Sequence, residues 1–284
     1  MHKSSCLIIA VASLFVACVH AREAAHEATE ADIAKQNAAL AVNTNGKGFG
    51  PQSPRDIEAK AGINQRIFSE APSYKQMNLC NIHFHKNAEH KGGEFTKYAG
   101  PGNGHGYQSG YVYSGKLSVT EAKPLAAEVC KSSHGGLQTG DTIEVHYVHS
   151  SAQVKPGETL GACLSESDKN PQLRVEAQVF VLVNDAKAAD FNMLTLVGEV
   201  NGYHQASNIP VNTGTPIRYA GSTTGPSYNE KGSPFQVSWS VRPKVIKVNA
   251  ESVGRWCTGN VFKEDHAHGV RNLVTNEKLL SAIK

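Results

Sequence analysis

From about residue 75 onward the chain is a series of short runs rich in β-branched and aromatic residues. They read "NIHFH", "GYVYSG", "TIEVHYVH", "RVEAQVFVLV", "LTLVGEV", "FQVSWSV" and "KVIKVN", with Gly, Pro and Ser turns between them. Runs of this length, recurring every roughly ten to thirty residues, fit strands rather than helices. Helical periodicity is weak, confined to "VTEAKPLAAEVC" and the C-terminal "NEKLLSAIK". The expectation is a mainly β (α+β) fold in one domain spanning residues 48–284. With 284 residues, 40% of them hydrophobic and 19% charged, the chain is long enough for one substantial core. A formal net charge of +3 with scattered lysines and arginines makes no electrostatic case for a nucleic-acid partner.

The N-terminus reads as a targeting segment. Lys3 precedes the apolar run "CLIIAVASLFVACV", which is too short for a stable membrane span. Val19-His20-Ala21 places small residues where a signal peptidase cuts, so residues 1–21 are expected to be removed after Ala21. The stretch "LFVAC" also loosely matches a lipoprotein cleavage box ending at Cys18. Both readings export the protein, and secretion or a periplasmic location is the expectation. Residues 22–47 form an Ala/Glu-rich leader, a surface helix or a partly ordered segment, and "NTNGKGFGPQSP" ends any helix there.

Six cysteines less Cys6 and Cys18 leaves four: Cys80, Cys130, Cys163 and Cys257. An even number in an exported chain suggests two disulfides, with three possible pairings. No CxxC pair exists, which argues against a zinc–cysteine site.

The chemistry concentrates in "CNIHFHKNAEH", residues 80–90. On a strand, positions i and i+2 share a face, so His83 and His85 aim at one point. Cys80, Ile82 and Phe84 are then expected on the opposite, packed face. Such a pair is a platform for Zn²⁺, which catalysis leaves with three protein ligands and one open position. The third ligand is sought in "IEVHYVH", where Glu144, His146 and Val148 share a face and His149 takes the other. A ligating histidine commonly donates its second N–H to a carboxylate, and Glu144 beside His146 selects His146 over His149. A single HxH is common by chance, and the ExH on a second strand is what raises the signal. The second HxH, His266 and His268 in "EDHAHG", reads as an exposed polar loop. His105 and His134 lie in Gly-rich loops and read as surface residues.

"HFH" followed by "EH" and "EVHYVH" resembles the "HFHW…EH…ELHLVH" signature of α-type carbonic anhydrases. Residues 52–57, "QSPRDI", resemble that family's "QSPIDI". Residues 219–248, "YAGSTTGPSYNE…VSWSVRPKVIKV", resemble "YxGSLTTPPCxE…VxWxVxxxPxxV". The spacing from QSPRDI to HFH is much shorter than in the animal enzymes, and the sequence resembles divergent bacterial sequences grouped with the δ-class carbonic anhydrases of marine diatoms.

The resemblance implies a large twisted, mostly antiparallel central β-sheet with peripheral short helices. It also implies hydration of CO2 to bicarbonate and a proton by hydroxide held on zinc. Carried over by position, His83, His85 and His146 are the zinc ligands, with Cd²⁺ or Co²⁺ as other metals, and Glu144 is the acceptor behind His146. Thr223 is the hydroxyl that receives a hydrogen bond from the hydroxide, and Glu89 is the carboxylate that accepts the Thr223 proton. Thr224 and Val148 line the substrate pocket. Gly225 replaces a proline, and the segment carrying the family's proton-shuttle histidine is missing, which leaves His90, His105 and His204 as candidates. The disulfides expected are Cys80–Cys257 and Cys130–Cys163. Two other readings compete. "HFHKNAE" fits a cupin spacing that makes Glu89 a ligand, although Pro156 and Gly157 are followed by no histidine. A non-catalytic zinc-binding module on the same fold is the other.

Overall fold

The computed structural model describes residues 27–284, so the expected signal segment, the expected cleavage point at Ala21 and Cys18 lie outside the described residues. The leader forms helix α1 (Glu30–Thr44), which starts where Thr29 and Asp32 cap each other's backbone N–H groups. Its Leu40 is buried against Val274, Leu279 and Leu280, so the leader is docked on the C-terminal segment. Strand β1 (Asn78–Lys86) follows an irregular stretch. Then come two ribbons, β2 (Lys97–Tyr98) with β3 (Tyr111–Val112) and β4 (Val129–Ser132) with β5 (Gly135–Leu137). The long strands β6 (Thr142–Ser150) and β7 (Leu173–Val183) precede helix α2 (Phe191–Leu194) and the ribbon β8 (Val197–Val200) and β9 (Tyr203–Ala206). Strands β10 (Ile217–Ser222) and β11 (Gln236–Asn249) and helix α3 (Ala250–Cys257) complete the order. Among the described residues no helix is long and apolar enough to cross a membrane.

The central sheet runs β1-β6-β7-β11-β10. All neighbours are antiparallel except β7 and β11, which are parallel. The fold is therefore mainly β, with a mostly antiparallel sheet and peripheral short helices in one domain. The separate runs "FQVSWSV" and "KVIKVN" are one strand, β11, joined through Arg242-Pro243-Lys244, where the register against β7 slips. Pro243 has no N–H for a ladder, and a bulge is where a strand tolerates it. The helix pattern in "VTEAKPLAAEVC" is broken by Pro124, and turns followed by β4 replace it. The C-terminal pattern condenses to one 3₁₀ turn, Glu277–Leu279.

The sheet has two unlike faces. Ile82, Phe84, Ile143, Val145, Tyr147, Phe180 and Leu182 pack with Phe191 of α2 and Val253 and Trp256 of α3. The alternate residues of the same strands, Val148, Val175, Ala177 and Val179, pack with Tyr219 and Trp239. His83, His85 and His146 belong to this second face.

One residue breaks the alternation expected of β1. The register slips between Leu79 and Asn81, and Cys80 joins the second face rather than following Ile82 and Phe84. This decides the disulfides. The expected pairs Cys80–Cys257 and Cys130–Cys163 are not formed. Cys80 bonds Cys163, with Cα atoms 5.0 Å apart, and Cys130 bonds Cys257, with Cα atoms 5.6 Å apart. Cys257 ends α3 on the first face, beside Cys130 of β4, and the sheet separates it from Cys80.

Digestion without reduction should release the Cys80–Cys163 and Cys130–Cys257 peptides and neither crossed pair. Replacing both Cys130 and Cys257 by serine should lower unfolding free energy by about 2–5 kcal/mol in a denaturant titration.

His149 supplies a pH dependence. It is buried under Tyr74, its Nδ1 lies 3.0 Å from the Tyr147 carbonyl, and burial lowers its pKa to about 3. The folded chain keeps it neutral, while the unfolded chain protonates it near 6.5. Its contribution to stability is complete above pH 6.5 and is lost as pH falls toward 3. Against His149→Gln, the wild type should lose about 1.4 kcal/mol more stability per unit of acidification across that window, measured by urea unfolding.

Candidate metal centre

Strands β1 and β6 run antiparallel with His83 directly opposite His146 and His85 opposite Glu144. Since i and i+2 share a face, this register alone brings three imidazoles to one spot. The ring centroids are 5.3 Å apart for His83 and His85, 5.1 Å for His83 and His146, and 4.7 Å for His85 and His146. One nitrogen from each ring falls within a common 4.8 Å set.

The other nitrogen of each ring fixes its tautomer. His83 Nδ1 lies 2.7 Å from Asn81 Oδ1, and His85 Nδ1 lies 2.8 Å from the Gly269 carbonyl. His146 Nε2 lies 2.8 Å from Glu144 Oε1. These three partners are acceptors, so each of those nitrogens carries the proton and donates it. The lone pairs then sit on His83 Nε2, His85 Nε2 and His146 Nδ1. His83 Nε2 and His146 Nδ1 face each other at 3.3 Å, and His85 Nε2 is buried with no hydrogen-bond partner among the described residues. Lone pairs converging in this way repel unless a cation lies among them, so the donor set fits a divalent metal. Burial, reinforced by His146, His85 and His268, holds His83 well below the usual histidine range. Burial lowers His85 to about 4, despite the opposing pull of Glu89. Both rings are therefore neutral at pH 7, as ligands must be.

Glu144 is fully buried. Burial by itself would raise its pKa, but His90 and His146 hold it well below the carboxylate range. It accepts from His146 Nε2, from His90 Nδ1 at 2.6 Å and from the His90 backbone N–H at 3.2 Å. His90 Nε2 bonds the Tyr219 hydroxyl, which lies 2.6 Å from Ser53 Oγ. A continuous chain thus runs from His146 through Glu144 and His90 to Tyr219 on β10. Both ring nitrogens of His90 are committed to buried partners.

Glu89 is buried beside His85, with Oε1 accepting from Arg271 N–H at 2.9 Å. Its Oε2 has no hydrogen-bond partner among the described residues. The expected Thr223–Glu89 bond is not formed, because Thr223 Oγ1 lies 2.7 Å from Ser233 Oγ instead. Thr223 follows β10, and the Trp239 indole, whose ring lies 5.0 Å from that of His146, donates to the preceding Ser222 carbonyl. Thr224 is half-buried next to it, and Val148 is buried on the same sheet face as His146. The cupin reading fails on two counts. The sheet is open, with β1 and β10 at its edges, and Glu89 lies 3.9 Å from the protonated Nδ1 of His85 rather than on its lone pair.

Sequence reasoning missed His268. Its ring is 5.6 Å from that of His83 and 5.9 Å from that of His85, with Nε2 2.6 Å from Glu264. The segment is laid along β1, as His268 N–H donates to Phe84 O and Lys86 N–H to His268 O. A pairing across so long a stretch of chain leaves no local signal beyond the second HxH itself. His105 is exposed in its glycine-rich loop, and His204 lies on β9, 3.8 Å from Glu199.

A family model for delta carbonic anhydrase matches residues 74–252, more than half of the chain. No curated protein matches the sequence. Solved structures similar to it include a hyperthermostable carbonic anhydrase from a hydrothermal vent chimney, at 15% identity and TM-score 0.30, covering 87% of this chain and 90% of that one. The α-carbonic anhydrase of Thermovibrio ammonificans is 17% identical with TM-score 0.28, covering 83% and 88% of the two chains. That of Photobacterium profundum is 15% identical with TM-score 0.29, covering 88% and 95%.

Glu144→Ala removes the acceptor behind His146 and His90 together. The affinity of the three imidazoles for a divalent metal should fall about ten- to a hundredfold in a competition titration with a chelating dye.

Proposed function

The chain belongs to the delta carbonic anhydrase family, and on that premise we propose that it catalyses the reversible hydration of CO2 to bicarbonate and a proton with zinc. His83, His85 and His146 would hold the ion, and Co²⁺ or Cd²⁺ suit the same donors. The observation that carries this reading is the buried, unpartnered Nε2 of His85 beside the facing lone pairs of His83 and His146. A dication held by these three imidazoles would lower the pKa of a water it bound to about 7 and so supply the nucleophile.

The remaining work falls to the chain's own groups. Glu144 holds His146 in the tautomer that presents Nδ1, and Asn81 and Gly269 do the same for Nε2 of His83 and His85. CO2 is neutral and apolar, so Val148 and the aliphatic part of Thr224 serve it better than a charged anchor. The Thr223 hydroxyl orients the attacking oxygen by hydrogen bonding. The lysines and arginines are scattered along the sequence, in keeping with a small-molecule substrate. The two disulfides suit an oxidising compartment, and with the apolar N-terminal run they support a secreted or periplasmic location.

Zinc-loaded protein should accelerate CO2 hydration in a stopped-flow assay, and His146→Ala should lose bound zinc and turnover together while keeping its circular dichroism. Equal zinc content in the two proteins would remove His146 from the centre. Full zinc occupancy without any hydration would leave a non-catalytic zinc module.

A further inference from the structure

Thr223 and Glu89 are held by one buried polar network that the metal chemistry leaves unexplained. The partner of the Thr223 hydroxyl is Ser233, which is fully buried in the loop joining β10 and β11. Thr223 N–H donates to Phe235 O at 2.9 Å, which closes that loop on itself. Gln52, in the QSPRDI segment, grips Ser233 from the other side. Its Oε1 accepts from Ser233 N–H at 3.0 Å, and its Nε2 donates to Ser233 O at 3.2 Å. One carboxamide therefore satisfies both backbone groups of one residue, as a neighbouring strand would. The same Oε1 accepts from Arg271 Nη2 at 3.2 Å, and Arg271 N–H is the donor to Glu89.

We propose that Ser233, clamped by Gln52, is the positioning residue for the Thr223 hydroxyl, in place of a direct bond to Glu89. The inference rests on the role given to Thr223 above. A threonine hydroxyl swings with χ1, and in a buried site it adopts the rotamer in which it has a partner. Ser233 Oγ is the hydroxyl's only protein partner among the described residues, and Ser233 is anchored through its own N–H and C=O, both bonded to Gln52. A serine hydroxyl, unlike a carboxylate, both donates and accepts. The pair therefore sets where the Thr223 oxygen sits without adding charge beside the imidazoles.

The test uses the zinc-loaded full chain. Ser233→Ala should lower kcat about three- to tenfold, the effect of one lost positioning bond, with KM, zinc content and cooperative unfolding retained. Ser233→Thr, which restores a hydroxyl, should recover most of the rate. In a Thr223→Val background, Ser233→Ala should change kcat less than about twofold, because the bond is already gone. An unchanged kcat in Ser233→Ala alongside a slow Thr223→Val overturns the proposal while sparing Thr223. So does an undiminished loss in the Thr223→Val background. A Thr223→Val enzyme as fast as wild type brings down the role of Thr223 itself. If Ser233→Ala unfolds, Gln52→Glu serves instead, since it keeps the acceptor and loses the donor to Ser233 O. Its loss of rate must likewise vanish when Thr223 is valine, or the proposal falls.

Discussion

The structure turns on three imidazole lone pairs held within 4.8 Å of one another inside a protein. Each ring is fixed there because its other nitrogen donates to an acceptor that has little freedom to move: Asn81 on the same strand, the Gly269 backbone, and buried Glu144. The arrangement demands one register between β1 and β6, with His83 across from His146. A slip of β1 by one residue would turn His83 and His85 away from His146 into the face packed under α2 and α3, and bring Ile82 and Phe84 to the site.

The sheet can carry this polarity because its two faces do different work. The face under α2 and α3 is packed with aromatic and aliphatic side chains and supplies apolar burial. The other face combines an apolar floor of Val148, Ala177 and Trp239 with buried carboxylates, and no buried carboxylate is stable without partners. Glu144 has three donors, and Glu89 has the Arg271 backbone. Arg271, Gln52 and Tyr219 bring segments from both ends of the chain to the centre. Helix α1 extends this, since Gln36 accepts from Asn272 beside Arg271 and Leu40 packs on the C-terminal segment.

The patterns with local periodicity were legible. The alternation in "NIHFH" and "IEVHYVH" placed His83, His85, Glu144 and His146 on the faces they occupy, and the strand runs anticipated the sheet. What escaped was everything decided by distant contacts. The bulge at Cys80 moved one sulfur to the other face and changed both disulfides. His268 reached the imidazoles through a bridge to β1, and the partner of Thr223 proved to be Ser233 rather than Glu89. Pro243 hid the continuity of β11 because a proline inside a strand reads as its end.

The amino-acid order by itself determined that this chain makes strands, that one of them presents His83 and His85 at alternate positions and that another presents Glu144 and His146 in the same way, since a period of two follows from backbone geometry alone. Only the tertiary structure decided which strands became neighbours, which cysteines met and which hydroxyl fixed Thr223. Those outcomes depend on the register of β1 against β6, on a one-residue bulge and on buried hydrogen bonds spanning most of the chain. None of them leaves a trace in the spacing of nearby residues, because each is settled by the packing of segments that meet only after the chain has folded.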